Sequence, residues 1–176
     1  LEDNFDSKLM YGDNYGYMSS LNKAMESHLQ LKSKYLLDTY KLKKSSYILD
    51  IGSNDGTFLN FFNKNFKLFA CDPTIKKFKN YYRKDIKLIP DFFSKDKFKD
   101  LKFNLITSIA MFYDLPDPLK FAKDIKSVLA KEGIWHIEMS YMPSMLNNIS
   151  YDTICHEHLE YYSVKSLKHL MDLANL

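Results

Sequence analysis

Arginine is almost missing from this chain. Arg83 is the only one, so the 25 basic side chains are nearly all lysine, set against 22 acidic ones for a net charge of +3. A module that reads DNA or RNA offers more guanidinium forks and a denser basic stripe, so nucleic acid is not expected as a partner. Cysteine is scarce as well. Cys71 and Cys155 stand far apart with no paired CxxC, which indicates neither a zinc site nor a disulfide framework, and a reducing, cytoplasmic setting is the default expectation. No apolar run approaches membrane-spanning length and no signal peptide is visible. Proline and glycine are few, five of each, and no linker, repeat or low-complexity tract interrupts the chain.

What is present is globular. Hydrophobic residues make up 45% of 176 positions and aromatics 15%, ample for the core of one ordinary domain. Mild basicity suits a small anionic substrate. The lysine-rich stretch 76–102 alternates with Asp and Phe and reads as solvated faces of small elements. The chain starts at Leu1 without Met and stops at Leu176 just after a helical pattern, so a piece of a longer protein is expected.

Residues 1–17 read as a polar, Tyr- and Gly-rich arm. A helical period runs from Met18 to Leu42, with Ser19 or Ser20 as its N-cap, and residues 1–45 form an arm-and-helix unit before a core at 46–176. In the core, short apolar runs read as strands at 46–51, 66–71, 86–89, 103–110 and 133–139. Helices are expected at 56–63, 75–83, 117–130 with Pro118 in the first turn, and 163–173 capped by Ser163. Residues 140–162 read as irregular or lid-like. Such alternation implies an α/β fold, a parallel sheet with helices on both faces.

In sheets of this type, ligands sit beyond the carboxyl ends of the strands. The first strand leads into Asp50-Ile51-Gly52-Ser53-Asn54-Asp55-Gly56-Thr57. Gly52 permits a tight turn and close approach of a ligand, and Gly56 lets the next helix pack on the strand. A dinucleotide site would want glycine where Asn54 stands, and no GK[ST] follows. Asp72-Pro73 ends the second strand, where a carboxylate can accept from both ribose hydroxyls. Asp91-Phe92 follows the third, offering an acceptor for an adenine amine and an aromatic wall. Ser108, Ile109 and Met111 would line the other side. Together these positions fit adenosine with a cationic sulfonium, favoured by Asp50. The set resembles that of class I methyltransferases and implies a Rossmann-like fold and S-adenosylmethionine as cofactor. The closing antiparallel strands of that fold would lie beyond Leu176, leaving a sheet edge that a partner could cover.

The segment after the fourth strand, 108–117, lacks the [DN]PP[YF] signature of transfer to planar amines. After the fifth strand comes Tyr151-Asp152-Thr153-Ile154-Cys155-His156-Glu157-His158-Leu159-Glu160-Tyr161-Tyr162. HExxH is absent and the local ligand set is thin, so no metal site is expected. A histidine beside a carboxylate suits acid/base chemistry.

Tyr15-Gly16-Tyr17-Met18-Ser19-Ser20, the turn 50–56 and above all His156-Glu157-His158-Leu159-Glu160-Tyr161-Tyr162-Ser163 resemble the nucleotide-deoxysugar C-methyltransferases. The resemblance implies methyl transfer to a carbon next to the keto group of a TDP-sugar. It implies His158 as base with Glu157 beside it, and Tyr17 or Tyr15 reaching in from the arm, with His156 a further donor. The chain departs from the family pattern in four respects. Nothing in this sequence corresponds to the family's four-cysteine zinc domain, the sequence stops short of the C-terminal half, Cys155 stands where some members have Tyr, and Asp114 stands where some have His. O-methylation of a small metabolite or sugar hydroxyl, or a non-catalytic cofactor-binding role, are the alternatives.

Overall fold

The computed structural model describes residues 7–11, 15–152 and 154–176. Five strands form one sheet: β1 (Tyr47–Ile51), β2 (Lys67–Cys71), β3 (Lys87–Ile89), β4 (Phe103–Ile109) and β5 (Leu129–Glu138). Their order is β3-β2-β1-β4-β5, with every pairing parallel. This is the Rossmann-like arrangement the alternation implied. The order reverses direction at β1, so the carboxyl ends of β1, β2 and β4 open the crevice where ligands bind.

The central strands are mostly apolar because both faces are covered, with Asp50 of β1 and Thr107 and Ser108 of β4 as buried polar exceptions. Along β1, Ile48 faces one core, while Leu49 and Ile51 face the other. Along β2, Leu68 and Ala70 divide in the same way from Phe69 and Cys71. The first core is closed by Leu29 and Leu36 of α2 (Lys23–Tyr40) and by Phe58 and Leu59 of the one-turn α3 (Thr57–Asn60). The second is closed by Phe121, Ile125 and Val128 of α5 (Pro118–Val128), with Leu167, Leu170 and Met171 of α7 (Val164–Leu173) packed against it. The shorter helices are α1 (Ser7–Met10), α4 (Ile75–Phe78) and α6 (Met142–Asn147), the last lying inside the stretch expected to be irregular. At the sheet edge, β5 residues are half-exposed or exposed. The expected strand 133–139 begins four residues earlier, beyond a register shift opposite Phe103 and Leu105.

Two local expectations give way. Ser19 and Ser20 do not cap the first long helix; they lie in a 3-10 turn, Ser19–Leu21. Asn22 is the cap, its side chain accepting from the amides of Ala24 and Met25. The amides of Ser19 and Ser20 are instead spent on Asn54 and Asp55. The expected helix 56–63 is likewise only one turn long. The sole arginine explains the stop: Arg83 donates to the carbonyl oxygens of Asn60 and Phe62 and pairs with Asp85, satisfying carbonyls that a longer helix would have bonded internally. Ser163 caps α7 as expected, in a capping box with Ser166.

Candidate active site

The turn after β1 folds because glycine stands where the backbone demands it. Gly52 has φ +76° and Gly56 φ +80°, a region that costs side-chain-bearing residues energy. Space is short as well. A Cβ on Gly56 would lie 2.5 Å from the Tyr82 ring, and one on Gly52 would lie 2.9 Å from Met111 Cγ. Asn54 sits between them at φ +52° and is held there on every side. Its amide donates to Asp72 Oδ2 at 2.8 Å and its carbonyl accepts from the Tyr82 hydroxyl at 2.7 Å. Its side chain accepts from the Ser19 amide and donates to the Tyr17 carbonyl, both at 3.0 Å. Asp55 Oδ2 accepts the Ser20 amide at 3.0 Å. Residues 17–20 are thereby fastened to the turn, and the Lys77 ammonium holds the Tyr15 carbonyl at 2.9 Å.

Above these carboxyl ends lies a cavity of about 500 Å³, within the range of small-molecule sites. Its walls include Asp50, Gly52, Ser53 and Asn54 from the turn, Asp72 and Pro73 after β2, Phe92 after β3, Ile109 and Met111 at the end of β4, and Tyr17 from the arm. These are ten of the positions singled out from the sequence. Gly56 lies behind the turn against Tyr82. Ser108 is buried and accepts from Trp135 Nε1 at 3.1 Å. Asp91 turns its carboxylate outward to Lys97, 2.7 Å away, which holds it below the usual carboxylate range. Phe92 and its neighbour Phe93 make the wall without it. His156 and Glu157 are exposed, outside the described lining of the cavity. The half-buried His158 ring lies 4.2 Å, centroid to centroid, from that of Tyr113.

Two buried carboxyls face the cavity from the sheet. Burial pushes Asp50 up to about 7, against a 2.6 Å bond from Thr107 Oγ1 that favours its charge. Asp72 is also raised by burial, opposed by Thr74 and the Asn54 amide. Thr74 supplies two donors to Oδ1, its amide at 2.7 Å and its hydroxyl at 2.5 Å. A carboxylate has roughly four acceptor positions. Three are used within the chain, so Asp72 keeps room for about one ligand hydroxyl, on the side of Oδ2.

Beside Tyr15, which the resemblance placed here, the cavity wall holds a pair that the pattern of motifs missed. Tyr11 donates to Asp114 Oδ2 at 2.7 Å, and the Tyr11 and Tyr15 rings lie 5.1 Å apart. Burial raises Tyr15 to about 12, reinforced by the Glu157 charge, and Tyr11 rises further, with burial first and Asp114 second. Asp114 is raised to about 7 by burial, lowered by the Tyr11 bond and raised again by Glu157. All three residues line the cavity. Asp114 stands alone in an apolar stretch, and its partner is 103 residues away, so no local pattern announces the pair. Among the described residues no cluster could hold a metal ion, and no helix is long and apolar enough to cross a membrane.

S-adenosylmethionine fits these walls. An adenosine and a sulfonium ask for an aromatic wall, a ribose acceptor and nearby negative charge, and the cavity offers Phe92 and Phe93, the open side of Asp72, and the Asp50 carboxyl, which a bound cation would draw towards its charged form. The missing Cβ of Gly52 leaves the turn free to approach a ligand beside Met111.

A family model described as a methyltransferase domain matches residues 21–176. A C-methyltransferase of Streptomyces niveus, NovU, is 23% identical over 168 residues, covering 92% of this chain but 40% of its own length. The chain thus spans less than half of that curated relative. Among solved structures, the methyltransferase in complex with the Trm112 activator of Haloferax volcanii superposes with a TM-score of 0.70 at 18% identity, over 88% of this chain and 72% of the other. YcgJ of Bacillus subtilis gives 0.68 at 14% identity, over 84% and 68%. The plantazolicin methyltransferase BpumL, solved with S-adenosylhomocysteine, gives 0.62 at 16%, over 82% and 60%.

Proposed function

The chain belongs to the methyltransferase-domain family, and on that premise we propose that it transfers a methyl group from S-adenosylmethionine to a carbon next to the keto group of a nucleotide-linked deoxysugar. The observation that carries the cofactor half of this reading is the cavity over β1, β2 and β4, with one acceptor position of Asp72 left open and Asp50 beneath. The relative named as a C-methyltransferase and the tract 156–163 support carbon as the acceptor; that tract alone supports the sugar.

When bound, the cofactor supplies an electrophilic methyl on a sulfonium. Gly52, Ser53 and Asn54 would hold its methionine end, Asp72 would accept from the ribose, and Phe92 would cover the adenine. The arm, fastened through Asn54 and Asp55, brings Tyr15 and Tyr17 over the acceptor and excludes water. His158 removes the proton from the acceptor carbon, and Glu157 stabilises the imidazolium that results. Positioning the carbon close to the methyl supplies much of the acceleration.

The test is a labelled-methyl assay of the full-length protein with TDP-4-keto-6-deoxyglucose, followed by hydriodic acid. Label that survives the acid confirms a carbon–methyl bond. Label released as methyl iodide identifies a methyl ether and replaces carbon by oxygen as the acceptor. Tighter binding of NAD than of S-adenosylhomocysteine in isothermal titration would overturn the cofactor assignment.

A further inference from the structure

Tyr82 belongs to no motif of the sequence, and it lies behind the turn after β1, outside the described lining of the cavity. Its ring packs in the core closed by α2 and α3 and backs Gly56. Its hydroxyl reaches forward to two residues that do line the cavity, Ser53 and Asn54. It donates to the Asn54 carbonyl at 2.7 Å and lies 2.8 Å from Ser53 Oγ. The directions of these bonds are fixed by counting hydrogens. A carbonyl only accepts, so the Tyr82 hydrogen goes to Asn54 and Ser53 donates to Tyr82. The result is a directed relay from Ser53 through Tyr82 to Asn54. It is largely shielded from water, because Ser53 is 4% and Tyr82 7% exposed.

A buried tyrosine usually finds a partner for its hydroxyl, so the pairing alone implies no function. Two further observations do. Asn54 sits at φ +52°, a region unfavourable to any residue with a Cβ, so its bonds must hold it there. Its carbonyl also depends on Tyr82. The Thr74 hydroxyl is 3.5 Å from that carbonyl but 2.5 Å from Asp72 Oδ1, and its single hydrogen goes to the carboxylate. The amide and side chain of Asn54 point the other way, to Asp72, Ser19 and Tyr17. Tyr82 braces the residue from behind.

We propose that the Tyr82 hydroxyl positions the cofactor turn: it holds Asn54 in the left-handed conformation, and thereby sets both the seat of the methionine end of S-adenosylmethionine and the anchor of the arm. This rests on the reading that residues 52–54 hold that end. Tyr82 is a positioning residue and touches no reacting atom. Without its hydroxyl, the Asn54 carbonyl and the buried Ser53 hydroxyl lose their partner, and Asn54 relaxes out of the left-handed region. That rotation carries its side chain away from Ser19 and Tyr17. A ligand must then restore the turn, and its apparent affinity falls by the fraction of molecules that hold the competent shape.

Tyr82→Phe tests this, because it keeps the ring against Gly56 and removes one oxygen. In titration calorimetry of the full-length protein it should weaken S-adenosylhomocysteine by about 5–50-fold, the range for a shielded polar group left without its partner. Adenosine lacks the methionine moiety and should lose about threefold at most, as expected for a site away from the change. The Ser19 amide should exchange about tenfold faster while β1 exchanges as in the wild type. A role confined to stability would lower the urea midpoint and leave the ratio of the two affinities unchanged, and that result overturns the proposal. So does wild-type affinity for S-adenosylhomocysteine in Tyr82→Phe when Gly52→Ala weakens it. If neither substitution weakens it, the turn does not hold the cofactor, and that reading and the proposal fall together.

Discussion

The amide of Asn54 donates to Asp72 Oδ2 at 2.8 Å and joins the turn after β1 to the end of β2. On the function proposed above, the same carboxylate serves structure and ligand at once. Three of its acceptor positions brace the two turns, and about one remains for the cofactor.

Asp72→Ala is therefore expected to have two separable effects. Losing the ligand-facing acceptor should weaken S-adenosylhomocysteine binding by about 1–3 kcal/mol, the range for a hydrogen bond to a charged group. Losing the braces on Asn54 and Thr74 should lower the melting temperature even without ligand. Asp72→Asn keeps an acceptor oxygen and should fall between. Titration calorimetry reads the first effect and thermal unfolding of the ligand-free protein the second. Unchanged affinity in the alanine variant would remove Asp72 from the site.

Asn54 supplies a different fastening, since its side chain bonds Ser19 and Tyr17. In Asn54→Ala the Ser19 amide loses its acceptor, and its hydrogen exchange should accelerate about tenfold or more, the equivalent of at least ~1.4 kcal/mol of lost protection. Exchange in the central strand β1 should change little. Equal acceleration in both places would mean that the variant unfolds globally and that the fastening is not local.

These contacts also show how far the sequence could be read. The strands were legible because burial on both faces leaves continuous apolar runs such as Tyr47-Ile48-Leu49. The turn was legible because Gly52 and Gly56 are two of only five glycines, set directly after one of those runs. The cap at Asn22 was misplaced because Ser19 and Ser20 look like caps locally, while their amides are claimed by residues 35 positions away. Asp91 looked like an adenine ligand from its place after β3, but Lys97 lies close enough to turn its carboxylate outward. Asp114 was noticed only as a departure from a family pattern. Its burial comes from the fold and its hydroxyl partner from the arm, and neither leaves a periodic trace.

Asp50 predicts a pH dependence of stability. Its folded pKa of about 7 lies above the unfolded value of 3.8, so the native state holds a proton that the unfolded chain releases. This contribution is fully present below about pH 4 and is lost as pH rises through 7. The shift corresponds to about 4 kcal/mol at most. Asp114 acts in the same direction and window. Asp50→Asn should gain stability relative to the wild type by a few kcal/mol between pH 4 and pH 8, measured by urea unfolding. A constant difference across that interval would show that Asp50 is ionised in the fold at neutral pH.

The two glycines of the turn should respond unequally to alanine. Both substitutions are strained by positive φ. At Gly56 the new methyl meets the Tyr82 ring, itself held by Ser53 and Asn54, so Gly56→Ala should cost about 2–4 kcal/mol of stability. At Gly52 it meets Met111, a flexible side chain in the cavity wall. Gly52→Ala should cost less stability, about 1–2 kcal/mol, and more cofactor affinity, because the displaced Met111 occupies ligand space. Urea midpoints and S-adenosylhomocysteine titration separate the two losses, and the reverse ranking would mean that Met111 is the tighter neighbour.

The base assignment is exposed to the sharpest test. His158 lies against Tyr113, outside the described cavity lining, while Glu157 acts electrostatically on Tyr11, Tyr15 and Asp114. For His158 to take a proton from the acceptor, its ring must leave the Tyr113 face and turn into the cavity when substrate binds. His158→Ala should then cut turnover by about 10²–10⁴-fold, the usual weight of a general base, while S-adenosylhomocysteine binds as before. Glu157→Gln should cost less, since it removes only the stabilisation of the imidazolium, and Cys155→Ala least. Exchange of the substrate α-proton with deuterated water should disappear in His158→Ala even when no methyl is transferred, because exchange needs the base and not the electrophile. Exchange at the wild-type rate in that variant would move the base elsewhere, with His156 next in the tract to be substituted.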